Sequence, residues 1–249
     1  MAEFLQVENI SRRFGGLLAL DRASFFAEEG QIVALVGPNG AGKTTLFAII
    51  TGFLKANDGR VLYGGDDITG EPPHKLARRG IARTFQITQP FAGLTVCENI
   101  AVGAHLHHAR RADALAAARK VAEQVDLAPM LDVPAASLTV AGRKRLELAR
   151  ALAIEPKLLL LDEVLAGLNP SEVRDMVPVI RAIRDNGVTI VLIEHVMQAV
   201  MSLASQVFVL AEGRMIAMGP PDAIAADSRV IEAYLGHGAS ARMREAARG

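Results

Sequence analysis

Gly37-Pro38-Asn39-Gly40-Ala41-Gly42-Lys43-Thr44-Thr45 fits the pattern G-x-x-x-x-G-K-[ST] without a gap. The run before it, Gln31-Ile32-Val33-Ala34-Leu35-Val36, is apolar and β-branched and predicts a buried strand. The run after it, Leu46-Phe47-Ala48-Ile49-Ile50, continues at helical spacing. Strand, glycine loop and helix in that order give the pattern a mechanism. Glycines let successive N–H groups turn inward around a polyphosphate with no Cβ in the way. The helix then begins with its orphan N–H groups and positive dipole end facing the same anion. Lys43 adds a point charge for the β- and γ-phosphates, and the Thr44 hydroxyl is placed to ligate Mg²⁺. The plain alternative is an ordinary glycine-rich turn between a strand and a helix.

The 249 residues allow one large α/β domain, or a core with a smaller subdomain. Apolar residues make up 51%, which favours buried parallel strands or a hydrophobic docking surface. No apolar run approaches the roughly 20 residues of a bilayer span. The opening Met1-Ala2-Glu3-Phe4 lacks the basic and apolar regions of a secretory signal. The lone Cys97 excludes an intramolecular disulfide framework and reads as a small buried hydrophobe sooner than a reactive thiol. Lys+Arg and Asp+Glu are equal at 27 each, and Trp is absent. Both facts argue against a nucleic-acid partner.

Residues 4–10 alternate and predict an edge strand, 12–16 a turn and 23–27 a second strand. Phe14 is either core filler or a ring that stacks on an adenine. Thr95 with Glu98 predicts a capping box. From 105 to 125 alanines interleave with Arg, Lys and His, which predicts a helical insertion with a solvated face. His105, His107 and His108 have no acidic or Cys partner nearby and read as a surface cluster rather than a metal site. Asn169 and Pro170 predict a helix cap and first position. Residues 188–193 read as a buried strand, and 207–210 with 215–218 as a hairpin.

The apolar run Lys157-Leu158-Leu159-Leu160-Leu161 leads into Asp162 and Glu163. Carboxylates at the carboxyl edge of a parallel sheet lie where ligands bind in open α/β folds. Asp162 there can hold Mg²⁺. Pleat alternation would turn Glu163 the other way, to polarise a water for attack on the γ-phosphorus. The alternative is two solvated strand-end acids. Gln86 and His195 also end strands, and spacing alone assigns neither a role.

These islands, in their fixed order, resemble the ATP-binding-cassette (ABC) ATPases along nearly the whole chain. Residues 37–45 match the Walker A loop, Gln86 the Q-loop and Phe14 the aromatic A-loop position. Residues 158–163 match Walker B with its catalytic glutamate, and His195 the switch histidine. Leu138-Thr139-Val140-Ala141-Gly142 stands where the L-S-G-G-Q signature belongs. Arg83-Thr84-Phe85-Gln86, Pro90-Phe91-Ala92-Gly93-Leu94-Thr95-Val96, Ala166-Gly167-Leu168-Asn169-Pro170, Ile193-Glu194-His195 and the ending Val230-Ile231-Glu232-Ala233-Tyr234-Leu235-Gly236 are similar to the ATPase subunits of branched-chain amino acid importers, the LivG-like branch.

The resemblance implies an α/β fold: a P-loop NTPase core with a mostly parallel sheet, an N-terminal antiparallel β subdomain and an inserted α-helical subdomain. It implies one ABC ATPase domain over residues 1–236, the insertion at about 87–155, and a flexible tail at 237–249. ATP would be bound by Phe14, Gly37, Pro38, Asn39, Gly40, Ala41, Gly42, Lys43, Thr44 and Thr45, and across a dimer by Thr139, Ala141 and Gly142. Mg²⁺ would be held by Thr44, Gln86 and Asp162, with Glu163, His195 and Gln86 catalytic. The implied partners are a second ABC ATPase subunit in a homo- or heterodimer, two membrane permease subunits, and a periplasmic or extracellular solute-binding protein. The implied place is cytoplasmic, peripheral on the inner face of the cell membrane. Uptake of urea or another amide, lipopolysaccharide export, a non-transport ABC regulator and a P-loop kinase or GTPase are the alternatives. The last would leave the signature, Q-loop and His195 islands unexplained together.

The chain departs from the family pattern in three places, the first being the signature itself, Leu138-Thr139-Val140-Ala141-Gly142 in place of L-S-G-G-Q. Ala141 carries a Cβ where glycine is expected; were φ positive there, it would cost on the order of 1 kcal/mol. Asn169 stands where an aspartate is common, and Val164 where proline is common.

Overall fold

The computed structural model describes residues 3–85 and 89–235. Gln86 and the tail expected at 237–249 lie outside the described residues. The chain divides into two compact units, one of residues 1–71 with 191–249 and the other of 72–190.

The first unit opens with β1 (Glu3–Phe14), β2 (Leu17–Glu28), β3 (Ile32–Val36), α1 (Lys43–Ile50), β4 (Asp58–Tyr63) and β5 (Asp66–Asp67). Four of these strands form an antiparallel sheet in the order β2-β1-β4-β5. β1 is therefore interior, not an edge strand. The alternation of residues 4–10 records one buried face and says nothing about how many neighbours flank the strand. The phase of that face changes midway: Leu5, Val7 and Ile10 are all buried. The register shifts between Val7 and Ile10, where Asn9 takes φ 51° and its N–H donates to Ser24 Oγ at 2.8 Å. A bulge of this kind lets an even position follow odd ones inward. The turn is shorter than expected, because Arg12, Arg13 and Phe14 pair with Leu20, Leu18 and Leu17.

The second unit contains α2 (Pro73–Arg78), β6 (Ile81–Arg83), α3 (Val96–Ala104), α4 (Arg111–Gln124), α5 (Val140–Leu152), β7 (Leu158–Asp162) and α6 (Pro170–Asp185). β8 (Thr189–Ile193) begins in this unit and ends in the other. β6 and β7 pair in parallel, and the Thr189 N–H donates to the Lys157 carbonyl at 2.9 Å. The helical region begins earlier than its alanine-rich stretch, at the Thr95/Glu98 capping box of α3. Ala114, Ala118 and Ala122 are fully buried at every fourth residue of α4. Small side chains on one stripe let a neighbouring helix approach closely, and Cys97 Sγ of α3 donates to the Leu115 carbonyl of α4 at 3.9 Å. Burial pushes the Cys97 thiol up, so it stays neutral.

The chain finishes in the first unit with α7 (Met197–Leu203), β9 (Gln206–Ala211), β10 (Arg214–Gly219), α8 (Pro221–Ala225) and α9 (Ser228–Leu235). β9 lies parallel to β3 and antiparallel to β10. Ala34 and Val36 of β3 share a buried cluster with Val200, Val207, Val209, Ile224 and Val230. Among the described residues no helix is long and apolar enough to cross a membrane.

Asn99 of α3 is fully buried and ties the preceding loop to the helix. Its Oδ1 accepts from Phe91 N–H at 2.9 Å, while Nδ2 reaches the carbonyls of Phe91 and Thr95 at 3.1 and 2.9 Å. Removing the amide strands those backbone groups. Asn99→Ala is expected to lose about 1–3 kcal/mol in urea unfolding; an unchanged midpoint would contradict this.

Candidate functional site

Every residue of β3 is buried, so the strand delivers its carboxyl end to the loop from a fixed position. At Gly37, φ is 152° and a Cβ would come 1.9 Å from the Leu210 carbonyl oxygen. Gly42 caps α1 with φ 106°, and a Cβ there would lie 2.7 Å from the Ala19 carbonyl oxygen. No side chain caps α1 and no acid occupies its first turn. Its first N–H groups therefore face the loop as anion donors. The Gly213 N–H donates to the Ala41 carbonyl at 3.1 Å, fastening the loop to the β9–β10 turn. Lys43 Nζ folds over the loop and donates to the carbonyls of Gly37 and Pro38 at 2.7 and 2.9 Å. A phosphate oxygen is the stronger acceptor for an ammonium and competes for it. Asn39, Gly40 and Thr44 are exposed, and Pro38 and Thr45 half-buried.

Phe14 is 42% exposed, so it is not core filler. The Arg12 guanidinium sits 4.8 Å from its ring centroid and is itself held by the Lys55 carbonyl at 3.0 Å. An exposed ring backed by a cation is suited to stacking. His195 follows β8, is exposed, and has the buried Glu194 as its chain neighbour. The phosphate loop, Phe14 and His195 all belong to the first unit.

The second unit carries the two acids and the signature segment. Asp162 is 1% exposed and ends β7. Arg83, at the end of β6, donates to its Oδ2 at 2.7 Å, and the Asp162 N–H donates to Thr84 Oγ1 at 2.9 Å. The paired guanidinium offsets the desolvation of the buried carboxylate. Carboxylate and hydroxyl oxygens, as at Asp162 and Thr44, are the hard donors that Mg²⁺ takes. Pleat alternation does not reach Glu163: the strand has ended and φ is 51°. The two acids differ in setting because the backbone reverses between them. The Glu163 carbonyl accepts from Lys144 Nζ at 3.0 Å and from Ala166 N–H at 3.2 Å.

Thr139 caps α5, accepting from the Gly142 N–H at 3.1 Å, which leaves its hydroxyl proton as a donor. Ala141 lies in the first turn of α5 and is not among the positive-φ residues, so its Cβ is unstrained. Gly142 is buried, and a Cβ there would meet the Leu138 side chain at 3.3 Å. Asn169 is a helix cap, accepting from Ser171 and Glu172 N–H groups at 2.9 and 3.0 Å. His105 Nδ1 and His107 Nε2 each lie 2.9 Å from a backbone carbonyl, those of His108 and Ile154.

Residues 20–166 match the ABC transporter family. The chain belongs to that family. The cassette also matches, over residues 214–240, a segment described as branched-chain amino acid ATP-binding cassette transporter. It is 38% identical to the high-affinity branched-chain amino acid transport ATP-binding protein BraF of Pseudomonas aeruginosa, over 93% of the cassette and 97% of that relative. The figures are the same for the LivG protein of Escherichia coli K12, which carries the same description. A crystal structure of the ADP conformation of an ATP-binding cassette of an ABC transporter aligns with TM-score 0.87 at 33% identity, covering 95% of this cassette and 100% of that chain. The fold is thus the α/β P-loop ABC cassette, and its activity that of a nucleotide-binding ATPase.

Three neighbours of the site were missed by pattern reading: Arg83, Lys144 and Glu147. Lys144 had a signal. It shares a helical face with Ala141, Leu148 and Ala151, an apolar stripe where a charge is out of place.

Gly37→Ala is expected to weaken ATP binding at least about tenfold in equilibrium dialysis, because the loop must move off the Leu210 carbonyl; wild-type affinity would refute the close approach. Ala141→Gly is expected to lower stability by roughly 0.5–1 kcal/mol in thermal unfolding, since the position is helical. A gain in stability would mean the alanine is strained.

Proposed function

We propose that this ABC cassette is one of two ATPase subunits that drive uptake of branched-chain or related amino acids through membrane permeases. The reading is carried by near-full-length similarity to relatives named as branched-chain amino acid transport ATP-binding proteins. The match at residues 214–240 supports it.

The main-chain amides of residues 37–45 hold the β- and γ-phosphates, with Lys43 leaving the loop carbonyls to pair with them. Phe14 stacks on the adenine. Thr44, Asp162 and Gln86 would hold Mg²⁺, which neutralises charge on the phosphate oxygens when bound. Glu163 accepts the proton of the attacking water, and His195 contacts the γ-phosphate edge. Thr139, Ala141 and Gly142 present a hydroxyl and the amides of a helix N-terminus to ATP held by a second ABC ATPase subunit, a copy or a sister chain. Two permeases receive the resulting movement, and a periplasmic or extracellular binding protein brings the solute. The cassette then works from the cytoplasmic face of the membrane.

Glu163→Gln should bind ATP as the parent does while hydrolysis falls roughly 100-fold or more; unchanged turnover would remove Glu163 from this role. Lys43→Ala should weaken ATP binding, and full affinity would count against the loop. In vesicles with the cognate permeases and binding protein, leucine should stimulate ATP hydrolysis. Stimulation by urea and not leucine would overturn the solute.

A further inference from the structure

Lys144 is buried on α5, two residues beyond the signature segment, with 7% of its surface exposed. Burying an ammonium is unfavourable unless it is bonded, and a leucine or methionine would fill the same space without that penalty. Its Nζ donates to the Glu163 carbonyl at 3.0 Å. Glu163 is itself unusual. Of the six non-glycine residues at positive φ among the described residues, five are exposed and Glu163 is half-buried. The left-handed conformation is unfavourable for a residue with a Cβ and persists where its surroundings impose it. Here two donors converge on one carbonyl, the Lys144 ammonium and the Ala166 N–H. Together they fix the peptide plane after Glu163, and so the direction in which its side chain leaves the backbone.

A second contact from the same helix supports the arrangement. Glu147, 7% exposed and one turn beyond Lys144, accepts from the Phe85 N–H. Phe85 follows Thr84, whose hydroxyl accepts from the Asp162 N–H at 2.9 Å. One turn of α5 therefore holds both the residue after the Walker B strand and Phe85, two residues beyond the end of β6.

We propose that Lys144 is a positioning residue for Glu163, holding the glutamate backbone from the helix that begins with Thr139 and Gly142. The inference rests on Glu163 acting as the base. It gives the signature helix a direct connection to the backbone that carries the hydrolytic carboxylate of its own subunit. A shift of α5 on meeting a neighbouring γ-phosphate would be felt at the Glu163 peptide through a single side chain.

The test uses the full-length chain. Lys144→Met keeps the aliphatic stem and removes the donor, and Lys144→Gln keeps polarity but falls short of the carbonyl. Both should fold, bind ATP within about twofold of the parent, and lose roughly 10- to 100-fold in kcat. Lys144→Arg, which keeps a donor, should recover part of that loss. In the Glu163→Gln background, Lys144→Met should produce no further loss, because its effect passes through the carboxylate. Parental kcat in both Lys144→Met and Lys144→Gln, or losses that multiply with Glu163→Gln, would overturn the proposal. A loss of ATP affinity as large as the loss of kcat would also overturn it, as that is the mark of general structural damage. Full turnover in Glu163→Gln alone would instead remove the base assignment, and this inference with it.

Discussion

The backbone of Gly37 passes the Leu210 carbonyl so closely that no side chain fits between them. That approach is set by strand pairing. β3 and β9 run parallel in the register Leu35 to Phe208 and Val36 to Val209, so the next residues, Gly37 and Leu210, meet at the strand ends. From there the loop can only turn away from the sheet and into α1. The Gly213 N–H holds it from the β9–β10 turn, and Arg214 Nε holds that turn to Asp21 at 2.7 Å. In the proposed reading the donors for a polyphosphate are main-chain amides, and their aim is fixed by a sheet register rather than by side-chain choice. This is why a C-terminal hairpin distant in sequence belongs to the binding loop.

Much of this was legible in the residues. The buried strand before Gly37, the capping box at Thr95, the helix cap at Asn169, the strand ending at Asp162 and the hairpin around Gly213 all follow from local chemistry. What was illegible depended on partners. β1 alternates as an edge strand would, and only its pairing with both β2 and β4 makes it interior. Pleat alternation predicts the direction of Glu163 only if the strand continues, and the strand stops one residue earlier, where the backbone reverses. Ala141 stands where the family pattern has glycine, which by itself implies strain. In this chain Thr139 caps the helix and places Ala141 at an ordinary helical position. Phe14 was ambiguous until its exposure removed one of two readings.

The second unit holds an unusual set of buried charges: Arg83, Asp162, Lys144 and Glu147. Each is bonded to a group at or beside the ends of β6 and β7. Apolar residues would stabilise a helix–sheet contact with less desolvation, whereas hydrogen bonds specify orientation. The buried polar network therefore serves the placement of two acids and the approach to position 86, at some cost in stability. Such networks are hard to see in sequence. Arg143-Lys144-Arg145 reads as a solvated basic run, and only the helical period separates its buried member from the exposed Arg143 and the half-buried Arg145.

If nucleotide phosphates are gripped by the main chain where β3 turns into α1, the amides of that turn must respond to nucleotide. Amide proton and nitrogen resonances of the full-length chain, followed by NMR during titration with Mg-ATP, test it most directly. The largest downfield amide shifts should fall on Gly40, Gly42, Lys43 and Thr44, with ADP reproducing most of them and adenosine none. Shifts centred on other segments, with those four amides unmoved at saturation, would contradict it.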